Sequence, residues 1–278
     1  MSKHQQRPLR VAPVFAVVGL LLGTTAASAQ TNTDPGSDSD QPQGGLLLDI
    51  KDYYTAPLHW DLKDWAYFGG TVGLFFGARH YDGQVRTHFI KEGAKPTGGS
   101  TKDLQDGIPT IAAVAGTWVM ANFADSTAGH REAWNMAEAG GFSFVTSYAL
   151  KFAAGRERPN ETSDPNQWRK SGSSFPSFHT AAAFAVGTVL AESGNDEYRI
   201  LRRFLGYGAI AGYTAFERLK HNAHWLSDDV AAAAIGAASA HFVLERDPAR
   251  RSEEERSSAF TISPLPGGAM VSYNLTLK

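Results

Sequence analysis

Six long apolar stretches, rich in alanine and glycine, limit the architectures that this 278-residue chain can adopt. Runs of this length exceed a typical β-strand and favour helices. Six helices in one domain predict an all-α bundle, in which the turn-rich segments between the stretches are the connections. The stretches lie near residues 65–78, 107–123, 133–154, 179–192, 198–218 and 225–245.

The length and charge of these stretches also bear on whether they cross a membrane. A transmembrane helix needs about 20 predominantly apolar residues. Arg79 closes the first stretch, Pro109 and Asn122 lie within the second, and Glu138 interrupts the third. We therefore expect a water-soluble bundle rather than a set of membrane spans.

Aromatic residues are frequent at the start of the helical region. Burial in the core is the usual use of such side chains, and we expect it here. A peripheral contact with a membrane surface stays open as the alternative, because aromatic side chains also lie at lipid interfaces. The residues concerned are Trp60, Trp65, Tyr67, Phe75 and Phe76.

The N-terminal residues 1–29 have the three parts of a secretory signal peptide: a basic start, an apolar centre and a small-residue cleavage site. These parts are Lys3, Arg7 and Arg10, then residues 11–23, then Ala27-Ser28-Ala29. An uncleaved membrane anchor is the alternative. Cleavage predicts a protein exported across the inner membrane to the periplasm, where membrane association stays open. Residues 30–45, rich in Asp, Ser, Pro, Gln and Gly, are expected to be a disordered linker.

A helical domain over residues 46–248 and a C-terminal tail over residues 249–278 complete the expected organisation. The tail has a Pro/Gly turn followed by apolar residues at alternate positions, which is typical of a short β-strand or hairpin. The alternating residues are Ala269, Val271, Tyr273, Leu275 and Leu277.

Composition excludes several classes of site. The chain has no cysteine, which excludes a thiolate nucleophile, a disulfide framework and a cysteine-ligated metal. Its formal net charge of −2 gives no basic footprint for nucleic acid, so we expect no nucleic-acid partner.

The first polar cluster is basic and follows the third stretch. Lys151 and Arg158 are seven residues apart, so a continuing helix would place both on one face, and Pro159 would end that helix. Two cations at a helix C-terminus also interact favourably with the helix dipole without any further role.

The second cluster opens the fourth stretch with Pro176-Ser177-Phe178-His179. Ser177 suits a helix N-cap, which is a purely structural use. A helix N-terminus also binds anions through its free N–H groups, and His179 in the first turn could donate a proton to a leaving group held there.

The third cluster combines Arg218, His224 and Asp228. A helical spacing of four would place His224 and Asp228 on one face, where the carboxylate could orient the imidazole. The alternative is a His–Asp pair on the helix surface that has no catalytic role. His221 and His224 could also suggest a metal, but Lys220 would repel the ion and no third ligand is obvious, so we expect none.

Together the clusters supply three cations, an anion-binding helix start, two histidines and one orienting carboxylate. That inventory fits a tetrahedral oxyanion with several negative charges. Phosphoryl transfer depends mainly on positioning and charge neutralisation, so these groups could suffice without a metal or cofactor.

In order and spacing these clusters resemble the type 2 phosphatidic acid phosphatase and vanadium haloperoxidase superfamily. The family signature is K-x6-R-P, then P-S-G-H, then S-R-x5-H-x3-D. The chain matches with Lys151 to Pro159, Pro176 to His179 and Arg218 to Asp228, so the signature covers residues 151–228. The resemblance implies a six-helix bundle of the family type.

The resemblance also implies a role for each matched residue. His224 would attack phosphorus and form a phosphohistidine, and Asp228 would hold and polarise His224. His179 would protonate the leaving oxygen and then activate water. Binding of the phosphate oxygens would fall to Lys151, Arg158, Arg218, Ser177 and the N–H of Phe178.

Two residues depart from the signature. Phe178 replaces its glycine, which would be strained if the position needed a positive φ and harmless at an ordinary helix start. We expect the helix start. Glu217 replaces the serine before Arg218, and we expect it to turn away from the phosphate or to pair with a nearby base.

The resulting prediction is a metal-independent phosphatase that acts on phosphomonoesters, with a phosphatidate-like lipid or a small soluble ester as substrate. One alternative is a haloperoxidase that carries vanadate as its cofactor on His224. The other is a non-catalytic protein that binds lipids or anions, and Phe178 and Glu217 favour that alternative.

Overall fold

The computed structural model describes residues 46–91, 100–194, 196–247, 260–265 and 268–273. The signal peptide and linker predicted over residues 1–45 lie outside the described residues. Seven helices form the described helical domain, and we number them in chain order. They are α1 (Leu46–Thr55), α2 (Leu62–Lys91), α3 (Ser100–Phe123), α4 (Thr127–Ala154), α5 (Phe178–Glu192), α6 (Arg199–Arg203, Phe204–Gly212 and Tyr213–Lys220) and α7 (Leu226–Arg246).

Helix α6 is a continuous helix whose central part, Phe204–Gly212, is π-helical. Two 3₁₀ turns, Ala56–Leu58 and Asp196–Tyr198, precede α2 and α6. The all-α class is confirmed, but the expected six helices become seven because α1 was missed. Helix α1 has only ten residues and carries charges among its apolar ones, so it does not stand out as an apolar run.

The hydrophobic core lies between α4, α5 and α7. Met136 and Phe142 of α4 pack there with Val186 of α5 and Leu244 of α7. Helix α1 closes one side, since the Tyr53 ring stacks on Phe142 with 4.5 Å between ring centroids. Packing against this core therefore stabilises a helix too short to be stable alone.

Helices α5 and α7 approach closely because Gly236 has no side chain. A Cβ atom at Gly236 would lie 2.2 Å from the carbonyl oxygen of Ala181 on α5. Near the beginning of both helices, the Ser177 N–H points to the carbonyl oxygen of Asp228 at 3.5 Å. Tight packing thus brings the N-terminus of α5 beside the N-terminus of α7.

Several aromatic side chains near the start of α2 are exposed. Trp65, Tyr67 and Phe76 are exposed by half or more, so the prediction that they pack in the core is wrong for these three residues. Trp60 and Phe75 are half-buried. The bundle buries the end of α2 that carries Asp82, which leaves the aromatic start of the helix at the surface. Among the described helices, none combines the length and apolarity that a bilayer crossing requires.

The described part of the C-terminal tail is an antiparallel hairpin. Its strands are β1 (Phe260–Leu265) and β2 (Gly268–Tyr273), with Ile262 paired to Val271. The alternation in the sequence that predicted a strand or hairpin covers β2. The segment after Tyr273, including Leu275 and Leu277, lies outside the described residues.

Candidate active site

The end of α4 does not lie where the sequence predicted. Gly155 adopts a left-handed conformation with φ of 53°, and its N–H bonds the carbonyl oxygen of Lys151 to close the helix. The helix therefore ends at Ala154, before Pro159. The prediction that Lys151 and Arg158 share one helix face is wrong, because Arg158 lies in the loop that follows α4.

The loop between α4 and α5 nevertheless holds these two cations together. The Lys151 ammonium donates to the carbonyl oxygens of Ser173, at 2.5 Å, and of Pro176, at 2.8 Å. The Arg158 guanidinium donates through Nε to the hydroxyl of Ser173 at 3.1 Å. Both cations bond the segment that leads directly into α5, so the two cations and the start of α5 form one unit.

Helix α5 begins at Phe178, with Ser177 in the N-cap position. Ser177 makes no side-chain capping bond; its hydroxyl donates instead to the hydroxyl of Thr180 at 2.9 Å. Ser177 thus occupies the N-cap position that its place in the sequence suits, without the side-chain bond of a cap.

Phe178 has an ordinary helical backbone, so the expectation of a helix start at this departure from the signature is correct. Its ring packs on the neighbouring His179 with 3.9 Å between centroids, and it faces Phe144 of α4. The Lys151 ammonium lies 5.7 Å from the Phe178 ring. Phe178 therefore lines the site beside a cation and a histidine.

His224 lies in the turn between α6 and α7 and is 2% exposed. Because α7 begins at Leu226, the prediction that His224 and Asp228 share a helical face is wrong. They are close for another reason: the Asp228 carboxylate turns back over the start of α7 and accepts from the Trp225 N–H at 3.0 Å. This places Asp228 Oδ2 at 3.7 Å from His224 Nδ1.

The electrostatic surroundings of His224 favour a neutral imidazole. Burial holds its pKa well below the ordinary 6.5, and the positive charges of Arg218, Lys151 and Arg158 act in the same direction, as does His179. Within the described part of the chain, neither ring nitrogen of His224 has a hydrogen-bond partner. The residues that act on this pKa are the predicted ones, so the three sequence clusters converge on one imidazole.

Asp228 is anchored by a group that the sequence analysis did not single out. The fully buried Arg156 donates through Nη1 to Asp228 Oδ1 at 2.6 Å, and the hydroxyl of Ser174 bonds Oδ2. Burial raises the pKa of Asp228, while Arg156, Ser174 and the Trp225 N–H act against that rise. Three donors, one of them a buried guanidinium, favour the ionised carboxylate.

Arg156 also ties the site to α2. Its Nη2 bonds Asp82 Oδ2 at 2.7 Å, and Asp82 accepts two more bonds from the N–H and hydroxyl of Ser227. The Arg156 guanidinium lies 4.5 Å from the Trp168 ring. In the sequence, Arg156 is visible only as a second arginine two residues before Arg158. No sequence signal points to Asp82, because its partners are more than 70 residues away.

Asp229, next along α7, has a different environment. It is buried, and its Oδ1 accepts from the hydroxyl of Thr180 at 2.6 Å. Burial raises the pKa of Asp229 to about 8, and the negative charge of Asp228 adds to the rise. The Thr180 and Ser177 hydroxyls and Arg218 act in the opposite direction. This residue was also missed, since the signature ends at Asp228.

Glu217, the second departure from the signature, pairs with bases as expected. It lies 2.9 Å from the Lys220 ammonium and 3.3 Å from His221 Nε2. His221 therefore contacts a carboxylate on α6 at the distance of an ion pair. Over the described residues, no group of three or more His, Asp or Glu side chains is arranged to hold a metal ion.

An apolar groove of about 940 Å³ opens between α3, α4 and α5. Its lining includes Ile111, Trp118 and Trp134. One turn before Ile111, a Cβ atom at Gly107 would lie 3.7 Å from Cδ2 of His179. The groove thus begins about one helical turn from a site histidine.

Comparison with known proteins finds a family and a relative that this chain resembles. Residues 132–252 match the PAP2 superfamily. A relative named lipid A 1-phosphatase, from Porphyromonas gingivalis, is 36% identical over 91 residues, which are 32% of this chain. The match spans 18% of that relative's length. No solved structure matches the chain at a significant level.

The family match begins in α4 and extends beyond α7, so it includes every residue of the sequence signature from Lys151 to Asp228. Order, spacing and spatial convergence all agree with the resemblance found in the sequence. Residues 132–252 of this chain are a PAP2 superfamily domain.

Proposed function

We propose that this protein is a phosphatase that hydrolyses phosphate monoesters through a covalent phosphohistidine at His224. The observation that carries the proposal is a buried imidazole kept neutral beside Lys151, Arg158 and Arg218. A neutral imidazole keeps the lone pair that a nucleophile needs, and cations around it suit a phosphate with negative oxygens.

In the first step, Nε2 of His224 attacks phosphorus and the bond from phosphorus to the ester oxygen breaks. The electron pair of that bond leaves with the oxygen, and His179 in its protonated form supplies the proton. The imidazole of His224 becomes positively charged, and Asp228 stabilises that charge. The present 3.7 Å between Nδ1 and Oδ2 shortens to a hydrogen bond with a movement of less than about 1 Å.

In the second step, His179 takes a proton from a water molecule, whose oxygen attacks phosphorus. The bond from phosphorus to Nε2 breaks, its electron pair returns to His224, and inorganic phosphate leaves. The three cations hold the phosphate oxygens in both steps and neutralise the charge that a metal would otherwise balance. No metal is required in this scheme.

We propose a phosphorylated amphiphile as the substrate class. The apolar groove that starts one turn from His179 suits an acyl chain, and the relative is named for a lipid phosphate. The exposed Trp65, Tyr67 and Phe76 of α2 suit a peripheral contact with lipid. The signal peptide predicted over residues 1–29 would place this reaction outside the cytoplasm.

The test is phosphate release by the purified protein from phosphatidate in mixed micelles and from p-nitrophenyl phosphate, with His224→Ala as the control. We expect release from both esters, a loss of at least about 10⁴-fold in the variant, and full activity with EDTA present. A radiolabelled adduct stable in base and labile in acid identifies the phosphohistidine. No hydrolysis of either ester, equal activity in the variant, or a loss in EDTA that Zn²⁺ or Mg²⁺ restores would contradict the proposal.

A further inference from the structure

Three buried side chains form a hydrogen-bonded chain that the reaction scheme leaves unused. The hydroxyl of Ser177 donates to Oγ1 of Thr180 at 2.9 Å, and the hydroxyl of Thr180 donates to Oδ1 of Asp229 at 2.6 Å. All three residues are buried, so water does not replace these bonds. The chain connects the start of α5 to the first turn of α7.

The direction of these bonds matters for phosphate binding. Each hydroxyl has one hydrogen, and in the direction just described Ser177 has already used its hydrogen on Thr180. Ser177 then presents only lone pairs to any other neighbour. A phosphate oxygen accepts hydrogen bonds and donates none, so Ser177 in this state repels the group that it should bind.

We propose that Asp229 is a positioning residue that sets the direction of this hydroxyl chain through its own protonation. When the Asp229 carboxyl group carries a proton, it donates to Thr180, Thr180 donates to Ser177, and the Ser177 hydrogen is released for a substrate phosphate oxygen. The inference rests on the proposed function, because it takes Ser177 as a donor to phosphate. No bond between heavy atoms forms or breaks; one proton from solvent is added to Asp229 and two hydroxyls rotate.

The surroundings of Asp229 place its proton in a useful pH range. Burial raises its pKa to about 8, Asp228 on the same helix adds to the rise, and Arg218 at the end of α6 opposes it. The groups facing it from α5 are the hydroxyls of Thr180 and Ser177. Bound phosphate brings more negative charge into the site and favours the proton further.

The first consequence is a KM that rises with pH, separately from any effect that His179 as the proton donor has on kcat. A phosphomonoester is a dianion throughout pH 7 to 9.5, since its second pKa is about 6, so the substrate itself does not titrate in this range. We expect KM to rise about fivefold from pH 8 to pH 9 as Asp229 loses its proton. A KM that stays flat over this range overturns the inference.

Three variants separate this device from a merely structural role. Asp229→Asn keeps a donor in place of the proton, so its KM should not rise between pH 8 and pH 9. Thr180→Val removes the acceptor of the Ser177 hydrogen, so its KM should no longer rise between pH 8 and pH 9, and Thr180→Ser, which keeps the hydroxyl, should restore the rise. If Asp229→Asn or Thr180→Val follows the pH profile of the unmodified protein, or Thr180→Ser fails to restore that profile, the inference is wrong.

Binding of inorganic phosphate tests the same point without turnover. Calorimetric titrations at pH 8.5 in two buffers of different ionisation enthalpy give the number of protons taken up on binding. The unmodified protein should take up more protons than Asp229→Asn, with a difference of more than about half a proton per phosphate. Equal uptake overturns the inference even if the esters are hydrolysed. Unequal uptake in a protein that hydrolyses no ester supports it and leaves only the proposed activity contradicted.

Discussion

Asp228 and Asp229 are consecutive residues in the first turn of α7, and both are buried, yet their surroundings differ in kind. Asp228 accepts from Arg156, Ser174 and the Trp225 N–H. Asp229 faces a hydroxyl chain on α5 that begins with Thr180, and in the described structure its Oδ2 has no hydrogen-bond partner. The number and charge of the donors, rather than burial alone, therefore separate a fixed carboxylate from one that can exchange a proton.

The two carboxylates also connect to different parts of the fold. Through Arg156, the Asp228 network reaches Asp82 of α2 and becomes a rigid support for His224. Asp229 reaches Ser177 through hydroxyls that can rotate. The site thus combines a fixed side, which orients the nucleophile, with an adjustable side, which faces the phosphate-binding start of α5.

Replacing the fixed carboxylate should have the largest effect. Asp228→Asn cannot pair fully with Arg156, and its amide can favour the wrong tautomer of His224. We expect kcat to fall by about 10²–10⁴-fold, as for the orienting aspartate of a catalytic triad, and the free energy of unfolding to fall by about 3–5 kcal/mol. Steady-state kinetics and urea unfolding measure the two effects. A decrease in kcat of less than tenfold would contradict the orienting role.

The same substitution one residue later should change stability in the opposite direction. The pKa of Asp229 is about 8 in the folded protein and 3.8 as an ordinary carboxyl, so the folded state binds more protons between these values. The stability that this group contributes is complete below pH 3.8 and is lost as pH rises toward 8.

Asp229→Asn does not titrate, so its stability relative to the unmodified protein should increase from pH 5 to pH 8. The increase amounts to at most about 4 kcal/mol, at roughly 1.4 kcal/mol per pH unit. Urea unfolding at pH 5, 6.5 and 8 measures it. A difference in stability that is the same at all three pH values would mean that Asp229 is ionised in the folded protein, like Asp228.

Arg218 tests whether the cations act on both sides of the site. It is 1% exposed, and its charge acts on His224 and on Asp229, whereas Lys220 is half-exposed and pairs with Glu217. We expect Arg218→Ala to lower kcat/KM by about 10²–10³-fold, and Lys220→Ala by less than about threefold. Equal losses in the two variants would show that Arg218 has no special access to the phosphate.

The sequence predicted much of this site because its clusters have fixed internal spacings. Through the resemblance to the family signature, those spacings group Lys151 and Arg158 with the two histidines, His179 and His224. The apolar runs predict the all-α class. Two local expectations were wrong because Gly155 ends α4 early and α7 begins only at Leu226. Spacing along the chain thus indicated which residues meet, but not the backbone that brings them together.

The supporting residues could not be predicted in the same way. Asp82 and Arg156 meet across 74 positions, and nothing local in the sequence links them. The role of Asp229 depends on which hydroxyls face it, and its neighbour Asp228 has the same side chain with different donors. Such pairings follow from how the helices pack, which is not encoded in any short motif.

Gly236 tests whether helix packing affects the Asp229 side of the site separately from the Asp228 side. It lies seven residues, or about two turns, after Asp229 on α7. In Gly236→Ala the new Cβ would meet the backbone of Ala181, so α5 must move away from α7. Overpacking of this kind costs about 1–3 kcal/mol. The shift should lengthen the Thr180–Asp229 bond and raise KM, while the Arg156–Asp228 contact, which does not involve α5, should persist and keep kcat within about threefold.

Gly116→Ala on α3 is the matched control, since a Cβ there meets nothing within 4 Å and should stabilise the helix by up to about 1 kcal/mol. Urea unfolding and steady-state kinetics of both variants measure these effects, and an equal decrease of kcat and rise of KM in Gly236→Ala would mean that the two sides of the site are not mechanically separate.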